Sequence, residues 1–111
     1  VLKLKLLETR EDVNKFVSSN KVAVIVYTDP SSELGKHIIS VLKRLEALSK
    51  GEIMYGVYPH AEGDRPVIRM YYRGSTVFEQ KDCFGIFQLD YRALKLGFRN
   101  ILQARGQVSP F

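Results

Sequence analysis

Cysteine is nearly missing from this chain: Cys83 stands alone. One cysteine excludes an intramolecular disulfide and any metal site built from several thiolates. It suits a reducing, intracellular setting, so a cytoplasmic protein is expected. Tryptophan is absent, and the two histidines, His37 and His60, stand apart from any acid–histidine cluster in the sequence. No metal site and no cofactor are expected on that ground. No apolar run approaches the roughly 18 residues of a membrane span. The opening VLKLKLL is interrupted by Lys3 and Lys5 and precedes no small-residue cleavage site, so it does not read as a signal sequence. Internal repeats and low-complexity stretches are lacking too.

What remains is ordinary material for a folded domain. With 111 residues, 45% hydrophobic and 26% charged, the chain can bury a core without metal or disulfide staples. One domain over residues 1–106 is expected, with 107–111 as a loose C-terminal tail. The net charge of +5 permits an acidic partner, whether RNA, DNA or an anionic protein surface, without requiring one.

Alternation of Leu2, Leu4 and Leu6 with Lys3 and Lys5 predicts a half-exposed first strand. Thr9 and Asp12 resemble a capping box and open a helix over about Arg10 to Ser18, with Val13, Phe16 and Val17 on its buried side. KVAVIVYT is a continuous β-branched run, suited to a central strand buried on both faces. Asp29 can cap the next helix with Pro30 at its first position, and Gly51 ends it.

Strands are then expected in EIMYGVYPH, RPVIRMYYRG and TVFEQKDCF, with AEGD as a turn and Gly74–Ser75 as a hairpin turn. Asp90 can cap a last helix from about Tyr91 to Arg105, closed by Gly106. The expected fold class is α/β: a mixed sheet of about five strands, written βαβαββα, with helices packed on it.

Three ordered features resemble thioredoxin-fold proteins: KVAVIVYT leading into DPSSELGK, the segment RPVIRMYYRGSTVFEQ, and the closing amphipathic helix. The resemblance extends from Leu4 to about Ala104. It implies that Pro66 is the family's cis-proline, set opposite the reactive start of the second helix. It also implies a groove for extended peptide, here made of Asp29, Pro30, Ser31, Arg65 and Pro66.

The departures bear on function. The positions of the family's Cys-x-x-Cys pair hold Ser31 and Leu34, its preceding tryptophan becomes Pro30, and its buried acid becomes Ile25. Thiol exchange needs a thiolate, which serine and leucine cannot supply. No catalytic residue is expected at Ser31, whose ordinary role is helix capping, since His37 is expected to point away from it. The short linker PHAEGDR replaces a family helix, so one sheet face should be less covered.

Period-two alternation sends Pro66, Ile68, Met70 and Tyr72 one way along the fourth strand, and Arg65, Val67, Arg69, Tyr71 and Arg73 the other. Tyr55 is expected to join the arginine face. That face can contact phosphates and stack bases, or serve as a protein interface, or be covered by the first helix and acidic side chains. Arg92, Lys95 and Arg99 form a basic stripe on the last helix. Cys83 is the sole candidate redox residue, and buried structural cysteine is its ordinary reading.

The expected function is a redox-inactive thioredoxin-like binding module, a subunit or adaptor in a protein or ribonucleoprotein complex. Direct RNA or DNA binding through the basic, tyrosine-containing face is one alternative. A single-cysteine thiol oxidoreductase or glutathione-type transferase is another.

Overall fold

A computed structural model describes residues 4–111, so Leu2 and Lys3 of the expected first strand lie outside the described residues. Strand β1 is short, Lys5–Leu6, and its alternation differs from the expected one. Leu6 is 55% exposed while Leu7 is buried against α1.

Helix α1 spans Arg10–Ser19. Thr9 Oγ1 accepts from the Asp12 amide at 3.1 Å, and the Asp12 carboxylate accepts from the Thr9 amide at 3.2 Å, so the capping box forms as read. Strand β2 is Val22–Tyr27, and every residue in it is buried. Burying an apolar side chain of this size contributes about 1.5–3 kcal/mol, so this strand anchors the molecule.

Helix α2, Glu33–Ser49, begins one turn later than Asp29 suggested. The Asp29 carbonyl accepts from the Ser32 amide at 3.1 Å, closing a β-turn that holds Pro30 at its second position. The cap is Ser32, whose hydroxyl accepts from the Gly35 amide at 3.0 Å. At the other end Lys50 and Gly51 both adopt positive φ, which terminates the helix.

Strands β3 (Met54–Tyr58), β4 (Val67–Tyr72) and β5 (Ser75–Gln80) follow in succession. The element order is therefore βαβαβββα, one strand more than the expected string. No helix interrupts the connection from β3 to β4. The β4–β5 hairpin turns on Arg73 and Gly74, both at positive φ, with Ser75 already paired to Tyr72.

Helix α3 runs Phe87–Ala104, a turn earlier than expected, because Asp90 lies inside it rather than capping it. Beyond α3 the tail has no regular structure, yet it is not loose: the Phe111 ring rests 6.4 Å from that of Phe98.

The sheet order is β1-β3-β2-β4-β5, with β1, β3 and β2 parallel and β4 and β5 antiparallel. Helices α2 and α3 cover one face through Ile38, Val41, Leu42, Leu45, Leu94 and Phe98. Helix α1 alone covers the other through Val13 and Phe16, against Ala23, Ile25, Tyr27 and Val67. The mixed sheet and its unequal cover agree with the fold class that the sequence implies.

The β4–β5 register slips between Met70, opposite Phe78, and Tyr71, opposite Thr76. Val77 is the extra residue of this bulge. Val77 and Phe78 consequently both pack on the α2–α3 core, although neighbours in a regular strand point to opposite faces.

Candidate functional site

The start of α2 sits at the end of β2, held by short-range hydrogen bonds. Asp29 Oδ1 accepts from the Ser31 amide at 2.9 Å and from the Ser31 hydroxyl at 2.7 Å. These bonds hold the Asp29 carboxyl below its ordinary range. The Ser31 hydroxyl is thereby committed to an exposed carboxylate. Leu34 is half-buried and packs toward the α2–α3 core.

The β2–β4 ladder ends at Tyr27 and Val67, which brings Pro66 and Arg65 alongside Thr28 and Asp29. The five expected groove residues therefore gather at one end of the sheet. Two of them differ from expectation. Pro66 is buried, and no cis peptide bond occurs among the described residues, so it follows a trans bond. Arg65 turns away to pair with Asp82 at 2.7 Å, holding that carboxyl below its ordinary range.

The alternation along β4 is as read. Ile68 and Met70 face α2 and α3, while Val67 and Tyr71 face α1. Arg69 shares the α1 side but is not open to it. Its guanidinium donates to both oxygens of Glu62, each at 2.8 Å, and through Nε to Glu79 at 2.6 Å. It also lies 4.9 Å from the centre of the Tyr27 ring.

The Tyr27 and Tyr71 hydroxyls meet at 2.5 Å, and burial, reinforced by Tyr71, pushes the Tyr27 phenol well above its ordinary value. Acidic side chains and α1 thus occupy this face. Tyr55 does not join it: it lies in the α2–α3 core, its hydroxyl 2.8 Å from that of Ser49. The reason is register, since Tyr55 stands opposite Val24, which points the same way.

Arg73 lies in the hairpin turn, 5.7 Å from the centre of the Tyr72 ring. Arg92, Lys95 and Arg99 belong to α3, across the sheet from Arg69 and Tyr71. The proposed basic residues therefore do not share one surface.

Two groupings escaped the sequence reading. One is polar. His37 Nε2 lies 2.6 Å from Asp90 Oδ2, so His37 is paired with an acid after all. Asp90 is wholly buried, and its carboxylate also accepts from the amides of Phe84 at 2.8 Å and Gly85 at 3.1 Å. It pins the loop before α3 instead of capping the helix. Cys83 joins them, with one donor atom from each of the three side chains lying within 4.8 Å of the others. Burial, with the Asp90 charge, pushes the Cys83 thiol up. Helical spacing held a clue: His37 shares a stripe with Leu34 and Val41, both turned toward the core.

The other grouping is apolar. Phe84, Ile86, Phe87 and Leu89 are 64%, 57%, 36% and 46% exposed. Phe84 and Ile86 lie in the loop whose amides Asp90 holds, and Phe87 and Leu89 lie in the first turn of α3. A cavity of about 420 Å³ beside it is lined by Gln80, Lys81, Asp82, Cys83, Phe84 and Ala93.

No protein-family model matches the chain, and no curated protein matches it in sequence. Solved structures do. A point-mutant thioredoxin from Halobacterium salinarum NRC-1 is 14% identical, with a TM-score of 0.66 over 89% of this chain and 90% of that one. The oxidised thioredoxin of Plasmodium falciparum is 12% identical, with a TM-score of 0.69 over 92% of this chain and 98% of that one. A designed protein is 20% identical, with a TM-score of 0.69 over 91% of this chain and 99% of that one. At these identities the likeness establishes the fold: the chain has a thioredoxin-like α/β fold.

Proposed function

We propose that this chain is a redox-inactive, thioredoxin-like binding module that docks a partner protein in a larger complex. The carrying observation is the chemistry at the start of α2. Ser31 and Leu34 stand there, and the single thiol, Cys83, is buried on another loop with its proton held more tightly than usual. A thiol so placed is a poor nucleophile at neutral pH, and it has no second cysteine to resolve a mixed disulfide.

Binding has a surface to use. The exposed Phe84, Ile86, Phe87 and Leu89 supply aromatic and aliphatic anchors of the kind that dominate interfaces. The positive net charge favours a partner with an acidic rim. Nucleic acid is the weaker reading, because Arg69 is engaged by Glu62 and Glu79 and the α3 stripe lies across the sheet.

Two assays test the proposal. Insulin reduction by the purified chain would overturn redox inactivity. Capture from source-cell lysate, with and without nuclease, is compared for the wild type and a Phe84→Asp, Ile86→Asp variant. Partners that survive nuclease and are lost with the variant support a protein interface at this patch. Partners lost with nuclease and kept by the variant overturn it in favour of nucleic acid.

A further inference from the structure

The clustering of His37, Cys83 and Asp90 goes beyond the binding reading and does not depend on it. Three kinds of metal donor converge from separate elements: an imidazole on α2, a thiol on the β5–α3 loop and a carboxylate on α3. Cys83 and Asp90 are more than nine-tenths buried, at 7% and 0% exposure. Asp90 is already held by His37 and two loop amides, and a cation placed here would add the neighbouring thiol, as its thiolate, to the same set.

We propose that His37, Cys83 and Asp90 form a divalent transition-metal site suited to zinc, with its fourth position left open. Imidazole nitrogen, thiolate sulfur and carboxylate oxygen are the donors that tetrahedral Zn²⁺ takes, and three protein donors with one open position is a known arrangement for it. Charge closes as well: a thiolate and a carboxylate balance the dication, and the imidazole binds neutral. The buried cluster then carries no net charge.

A tetrahedral zinc holds sulfur about 3.6 Å from its nitrogen and oxygen donors, and the three donor atoms here lie within 4.8 Å of one another, so the Cys83 side closes as the ion enters. Nitrogen and oxygen donors on a tetrahedral zinc stand about 3.3 Å apart, from bond lengths near 2.0–2.1 Å. The His37–Asp90 contact of 2.6 Å therefore opens by a fraction of an ångström as their hydrogen bond gives way to two metal bonds. The Cys83 S–H bond breaks, a sulfur–zinc bond forms, and the proton leaves to solvent. Nε2 of His37 binds with the ring hydrogen on Nδ1. The outer shell is already built: amides of Phe84 and Gly85 hold the Asp90 carboxylate in place.

The test titrates the chelator-treated full chain with Co²⁺ as a spectroscopic stand-in, then displaces it with Zn²⁺. One Co²⁺ per chain is expected, with the visible bands of a four-coordinate ion and a thiolate charge-transfer band. Cys83→Ser should abolish that band. His37→Gln should weaken binding by more than the roughly 10–100-fold that loss of an outer-shell partner costs. Saturating Zn²⁺ should raise the melting temperature of the wild type and not of Cys83→Ser. Binding without a thiolate band, or binding that both variants retain, would overturn the site. Circular dichroism of the variants separates lost binding from lost fold.

Discussion

Arg69 and Glu62 meet as two forks: Nη1 donates to Oε2 and Nη2 to Oε1, each at 2.8 Å. With Glu79 taking the Nε donor, the central arginine of the sheet spends its hydrogen bonds within the chain. Two-point pairs of this kind are stronger than single contacts and fix orientation as well. Removing the guanidinium also strips the Tyr27 ring of its cation.

Arg69→Ala should therefore destabilise the chain by about 2 kcal/mol, in line with charge-assisted hydrogen bonds at a half-buried site. Urea denaturation measures it. A double-mutant cycle with Glu62→Gln should show a coupling of roughly 1 kcal/mol. Glu62 has its carboxyl lowered by Arg69, so the pair's contribution is present above the ordinary glutamate pKa and fades as pH falls through the lowered one. A variant as stable as the wild type would mean that Arg69 is free for other partners.

Gly35 offers a prediction whose sign opposes helix propensity. Replacing glycine by alanine inside a helix ordinarily stabilises by up to about 1 kcal/mol. Here a Cβ would collide with the Asp29 carbonyl oxygen and lie 2.8 Å from Ser32 Oγ. The turn that caps α2 would have to move. Gly35→Ala should cost about 2 kcal/mol or more. A rise in the denaturation midpoint would show that this turn is not held as described.

Glu46 is buried on α2 at 8% exposure, and its Oε1 has no hydrogen-bond partner. Burial raises its carboxyl above the ordinary value of 4.5, against the opposing pull of Lys43. A carboxyl raised in the folded state holds its proton more tightly there than when unfolded, so stability falls as pH rises through this window. Glu46→Gln should gain about 1 kcal/mol at pH 7. That gain should vanish below about pH 4, where the glutamate is protonated in both states. Melting curves at the two pH values decide it; an equal gain at both would assign the effect to helix packing.

Much of the fold was legible because its signals are local. The run from Val22 to Tyr27 suited a strand buried on both faces, and the Thr9–Asp12 box marked α1 to within a residue. Ile68 and Met70 parted from Val67 and Tyr71 as period two requires. Asp29 and Asp90 misled for a shared reason. Both precede or enter helices, and both use their carboxylates on loop amides instead of the helix's own first turn. Local pattern does not distinguish these uses.

The candidate site was harder to read because it depends on register and on contacts across the chain. Tyr55 changes face with the pairing of β3 to β2, which no single strand reveals. His37 and Asp90 are far apart in sequence and meet only once α2 and α3 lie side by side.

The bulge at Val77 also bears on how molecules meet one another. Strand β5 is an outer strand, with a row of backbone groups facing away from β4. A regular edge of that kind invites a second copy to continue the ladder. The irregular spacing at Val77 breaks the repeat such a neighbour would need, and Glu79 and Lys81 place charge along the same border. The extra residue that turns two side chains inward thus also makes the β5 edge a poorer template for another strand.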